Sequence, residues 1–120
     1  MSDVYGKKVW FFPDGDLPPA GNVEPKGHES LVILNPNKED AKIRITVYFV
    51  EQPSVILDAG VVIAERVKCI RTNEPNDVFQ IPFGQYAVKI ESSVPVICQI
   101  GRMDVRQDNL SYYTVMGYTE

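Results

Sequence analysis

The residues with the chemistry to make a site are few in this chain. It has one histidine, His28, and two cysteines, Cys69 and Cys98. Structural and catalytic zinc sites draw several His and Cys ligands from short spacings, so this set predicts no metal centre and no cofactor. Asp14 and Asp16 flank Gly15 in a way that superficially suits calcium. The further ligands and the closing Glu of a calcium loop do not follow, and an Asx-type turn accounts for the pair. His28, Glu29 and Ser30 adjoin one another as a nucleophile and base would have to. Neighbouring strand residues point to opposite faces, so they do not converge on one atom, and a polar strand start at a loop mouth is the simpler reading. No paired acid and base emerges, and the chain is not expected to be an enzyme. His28 can still orient a ligand as a single polar group in a cleft.

The most unusual polar cluster runs from Gln99 through Arg102, Asp104, Arg106 and Gln107 to Asp108. On a continued strand Arg102, Asp104 and Arg106 share one face, where an acid between two guanidiniums forms a hydrogen-bonded ladder. Arginine forks also recognise carboxylates and phosphates and anchor interfaces. Both the structural ladder and the binding face stay open. Trp10 is either a core or interface anchor or a stacking platform for a ligand. Tyr112, Tyr113 and Tyr118 either finish the core or supply oligomer contacts. The candidate ligand- or partner-binding set is therefore Trp10, His28, Glu29, Arg102, Asp104, Arg106 and Gln107.

Strands must position these groups. From Lys42 to Val50 the residues Ile43, Ile45, Val47 and Phe49 alternate with Arg44, Thr46 and Tyr48, the period of a half-buried strand. Comparable runs span Lys7–Phe12, Glu29–Asn35, Ser54–Leu57, Val61–Ala64, Arg66–Thr72, Tyr86–Glu91, Pro95–Arg102 and Ser111–Tyr118. Turn chemistry separates most of them, at 35–40, 58–60, 73–77 and 92–95. No helical stripe is sustained. The pattern predicts an all-β antiparallel sandwich of jelly-roll type, with 1–120 forming a single domain. Residues 13–27 hold four prolines and three glycines, too irregular for a strand, and are expected to form an ordered loop over the sandwich.

Composition narrows the partners. With 120 residues, 44% hydrophobic and 23% charged, the chain has the profile of an ordinary folded domain. A net charge of −4 gives no general attraction to phosphates, which disfavours nucleic acid. Neither a run of about 18 apolar residues nor a signal-peptide pattern is seen, so a cytoplasmic protein with two free, buried thiols is expected.

The segments Val9–Pro19, His28–Asn35, Ile43–Tyr48, Ser93–Pro95 and Arg102–Gln107, in this order across nearly the whole chain, resemble the sensory rhodopsin transducer family. The resemblance implies a homotetrameric β-sandwich like carbohydrate-binding jelly rolls, and a signalling adaptor that docks on the cytoplasmic face of a membrane photoreceptor. A small-molecule or sugar-binding module is the alternative function.

Overall fold

The computed structural model describes residues 4–17, 28–72, 84–104 and 111–119. They form eight strands: β1 (Lys7–Leu17), β2 (His28–Asn35), β3 (Ala41–Phe49), β4 (Val55–Val62), β5 (Arg66–Arg71), β6 (Gly84–Asp104), β7 (Ser111–Met116) and β8 (Tyr118–Thr119). All observed pairings are antiparallel. The fold is the all-β sandwich that the alternation predicts.

Two sheets share one long strand. In sheet A the order is β4-β3-β6-β1-β8, and in sheet B β5-β2-β6-β7. The first part of β6 lies between β1 and β3, and its continuation from Ile97 lies between β2 and β7. Residues 92–95, expected to reverse the chain, instead carry it from one sheet to the other. The register of β1 records the bend, because Lys7 faces Val96 while Val9 faces Glu91. Strands that change sheets through such bends make the corners of a sandwich.

Two further turn signals resolve differently from expectation. Asp58-Ala59-Gly60 does not end a strand. It is a bulge within β4, where Lys42 faces Val61 and Arg44 faces Asp58. Gly60 takes a φ of 79° there, a left-handed value that glycine adopts without a Cβ clash, and its N–H donates to Asp58 Oδ1 at 2.9 Å. Residues 13–17 also depart from the expected loop, for β1 continues through a second irregularity between Phe12 and Gly15 as far as Leu17. The rest of the expected loop, 18–27, lies outside the described residues.

Between the sheets lies one core. Trp10, Phe12, Ile43, Ile45, Val47, Tyr86, Val88 and Ile90 from sheet A meet Leu31, Ile33, Ile70, Cys98 and Ile100 from sheet B. Full burial of such a branched or aromatic side chain is worth about 1.5–3 kcal/mol, whereas an exposed ion pair gives about 0–1 kcal/mol. The core therefore holds the sheets together. Cys98 is buried within it, and burial pushes its thiol up to about 12. Cys69 is free but exposed, which corrects the expectation of two buried thiols: it alternates with Ile70 on an edge strand and takes the outer face.

Both outer faces mix polar and apolar residues. Sheet A carries Lys42, Arg44, Lys89 and Glu91 beside the exposed Ile56, Val61 and Tyr118, with Arg44 at 3.0 Å and Lys89 at 3.4 Å from the Glu91 carboxylate. The Arg44 guanidinium, helped by Lys89, holds that carboxyl below its ordinary range. On sheet B the outer face carries Arg71 and Gln99 beside apolar residues. The register aligns Val67, Leu34 and Ile97 in one row and Cys69, Val32, Gln99 and Met116 in the next. Val67 is 63% and Met116 57% exposed.

Candidate functional site

At the end of the sandwich where β2 begins, the register sets Glu29 opposite Arg102. Glu29 has the parity of Leu31 and Ile33, so strand alternation aims a carboxylate into the core, and its residue exposure is 0%. Arg102 has the parity of Cys98 and Ile100 on β6. Its Nε donates to Glu29 Oε2 at 2.7 Å, a short charge-assisted bond. Its Nη2 donates to the Asp14 carbonyl at 3.2 Å, which ties β1 to the pair.

Tyr86 completes the group from the other sheet. Burial raises its hydroxyl well above the usual phenol range, and the negative Glu29 adds to the rise. The phenol is thus a neutral group at any physiological pH. Gly15 permits this placement, because a Cβ there would stand 2.6 Å from the Tyr86 ring. Thr72 lies beside Tyr86, and its N–H donates to the Glu29 carbonyl at 3.0 Å. Asp14, Glu29, Ile100, Arg102 and Val115 line a small pocket of about 150 Å³. Such a set can hold hydrogen-bonding groups in a fixed orientation; it presents no nucleophile activated by a base.

The structure brings some of the candidate residues together and separates others. Glu29 and Arg102 meet. His28 is also buried, but on the opposite face of β2, in register with Met103. Asp104 ends β6, facing Ser111, while Arg106 and Gln107, and with them the expected three-residue ladder, lie outside the described residues; Arg102 pairs with Glu29. Trp10 is a core anchor: it is 6% exposed, and its indole N–H is shared between the carbonyls of Val96 at 3.0 Å and Lys7 at 3.1 Å. Tyr86 and Thr72 were absent from the candidate set. Their only signal is tertiary, since each lies in an ordinary strand pattern. Among the described residues no three His, Cys, Asp or Glu side chains group as metal ligands, and no helix is long and apolar enough to cross a membrane.

Fold and site together define a class: an antiparallel β-sandwich with a shared crossing strand and a buried acid–guanidinium–phenol group at one end. Within that class the particular family follows from comparison. The model of the Anabaena sensory rhodopsin transducer family matches residues 5–119, and the chain belongs to that family. Among solved structures, the crystal structure of Thermotoga maritima 1070 is similar at 33% identity and a TM-score of 0.85, covering 96% of each chain. The Anabaena sensory rhodopsin transducer is similar at 37% identity and a TM-score of 0.69, covering 81% of this chain and 95% of its own. No curated protein sequence matches.

Proposed function

We propose that this protein is a cytoplasmic, non-enzymatic signalling adaptor that works as a homo-oligomer, a tetramer in keeping with its family, and couples to the cytoplasmic face of a rhodopsin-type membrane receptor. Family membership supports the receptor class. The observation that carries the assembly is the apolar stretch on the outer face of sheet B. An antiparallel sheet that faces water is ordinarily polar outside, and a contiguous exposed apolar face marks a contact surface. On sheet B the exposed Val67, Leu34 and Met116 are joined by the half-buried Val32 and Ile97 into one apolar stretch.

A sugar- or small-molecule-binding role at this end of the sandwich has one point in its favour, the Glu29–Arg102 pair at its pocket. The volume of about 150 Å³ is below the roughly 300–1,000 Å³ of ordinary ligand sites, and Trp10 is committed to the core. The adaptor reading is accordingly preferred. Its assembly is tested by light scattering on the wild type and on Val67→Glu. The wild type is expected at a multiple of the 13.5 kDa chain mass, and the variant at a smaller one. A monomeric wild type, or an unchanged variant, contradicts the proposed interface.

A further inference from the structure

The other end of the sandwich holds a larger cleft, of about 620 Å³, lined by residues 4, 5 and 8, 36–39 and 93–95. We propose that this cleft binds a small organic anion carrying a flat ring, a site separate from both the Glu29–Arg102 group and the apolar face of sheet B.

Three remote segments build it, and one buried side chain ties them. Asn37 accepts from the Tyr5 N–H at 3.1 Å through Oδ1 and donates through Nδ2 to the carbonyls of Tyr5 at 3.1 Å and Pro95 at 2.7 Å. Its own backbone is engaged as well: its N–H donates to Asn35 Oδ1 at 3.1 Å, and its carbonyl accepts from the Glu65 N–H at 3.1 Å. With its polar groups so used, Asn37 fixes the walls rather than contacting a ligand. Pro36 and Pro95 stiffen two of those walls, so little ordering entropy is lost when a ligand enters.

The lining then selects the ligand. Tyr5 is 56% exposed and Val4 59%, and with the prolines and Val94 they offer a surface suited to a flat apolar body. Lys8 and Lys38 are exposed at the cleft, neither in an ion pair with the described residues, and Glu39 is the one acid in the lining. The local balance favours an anion although the whole chain carries −4. The volume falls within the ordinary range for small-molecule sites, about 300–1,000 Å³.

The test is amide chemical-shift titration of the full chain with benzoate and with adenosine monophosphate, the two anion chemistries being separate arms. Their neutral counterparts, benzamide and adenosine, and inorganic phosphate serve as controls. Saturable shifts centred on Tyr5, Lys8, Asn37 and Lys38 with at least one ring-bearing anion are expected, and weaker ones with its neutral counterpart and with phosphate. Lys8→Gln/Lys38→Gln should weaken binding about 2- to 30-fold, as two exposed ion pairs would. Both substitutions are on exposed side chains, and the amide spectrum of the variant reports directly that it is folded. The proposal is overturned if neither anion shifts these amides at millimolar concentration, if the neutral compounds or phosphate act as strongly, if the double variant binds unchanged, or if the shifts centre on Glu29 and Arg102 instead.

Discussion

Removing one half of the Glu29–Arg102 pair exposes how the polar end of the sandwich is held. The Glu29 side chain is 1% exposed and that of Arg102 15%, so the two substitutions are unequal. Arg102→Met leaves a fully enclosed carboxylate without its cation, and an uncompensated buried charge costs about 3–5 kcal/mol. Glu29→Gln leaves the guanidinium, which keeps some water, and is expected at the lower end, about 2–3 kcal/mol. Replacing both, Glu29→Leu with Arg102→Met, removes the desolvation cost together with the attraction and should recover much of the loss. The assay is urea unfolding at pH 7 and at one fixed protein concentration, because self-association adds to apparent stability. With a slope of about 1.5 kcal/mol/M, a 3 kcal/mol loss moves the midpoint by about 2 M. Loss of less than about 1 kcal/mol in Arg102→Met would refute the reasoning, since the pair would then behave as a solvated surface contact. A double variant as unstable as the sum of the singles would refute it equally.

Three other expectations follow from the same geometry. Cys98 keeps its proton to about 12 in the fold while the unfolded thiol releases it near 8.5. Its contribution is therefore full below about pH 8.5 and falls as pH rises towards 12, by up to about 1.4 kcal/mol per pH unit; Cys98→Ala should flatten the decline in unfolding curves between about pH 8.5 and 10, above which the buried Tyr86 hydroxyl adds its own, and an unchanged decline in that window would count against burial as its cause. Gly15→Ala places a methyl group against the Tyr86 ring and should cost about 1–3 kcal/mol by overpacking, read as a lowered urea midpoint; a neutral result would mean that the ring moves freely. If sheet B is the contact between copies, Cys69 should react slowly with a thiol reagent in the wild type and quickly in Val67→Glu, while Cys98 reacts only in denaturant. Equal Cys69 rates in the two proteins would place the contact elsewhere.

Much of this fold is legible in the residues, and the misreadings share a cause. Alternation along Ile43, Ile45 and Val47 identifies a half-buried strand because side-chain direction is a local property. Gly, Pro, Asn and Asp report that the backbone needs an unusual local geometry, but not whether the chain then reverses. Asp58-Ala59-Gly60 uses that geometry for a bulge, and residues 92–95 use it to pass between sheets. The candidate site divides in the same way. Glu29 and Arg102 stand out as charges in strands, yet their pairing depends on a register between positions 73 residues apart. Trp10 has the residue type of either an anchor or a platform, and only the nearby Val96 and Lys7 carbonyls decide between them. Asn37 looks like one more turn residue between β2 and β3; its role in joining three segments exists only after the chain has folded.

The adaptor reading is tested most directly by binding to its proposed receptor class. A sensory rhodopsin in lipid nanodiscs would be immobilised and titrated with this protein, in the dark and under illumination, with empty nanodiscs alongside. Saturable binding to the receptor-bearing discs alone, with an affinity that differs between dark and light, is the predicted result. Absence of binding, or binding equal to that of empty discs, would contradict the coupling proposed here.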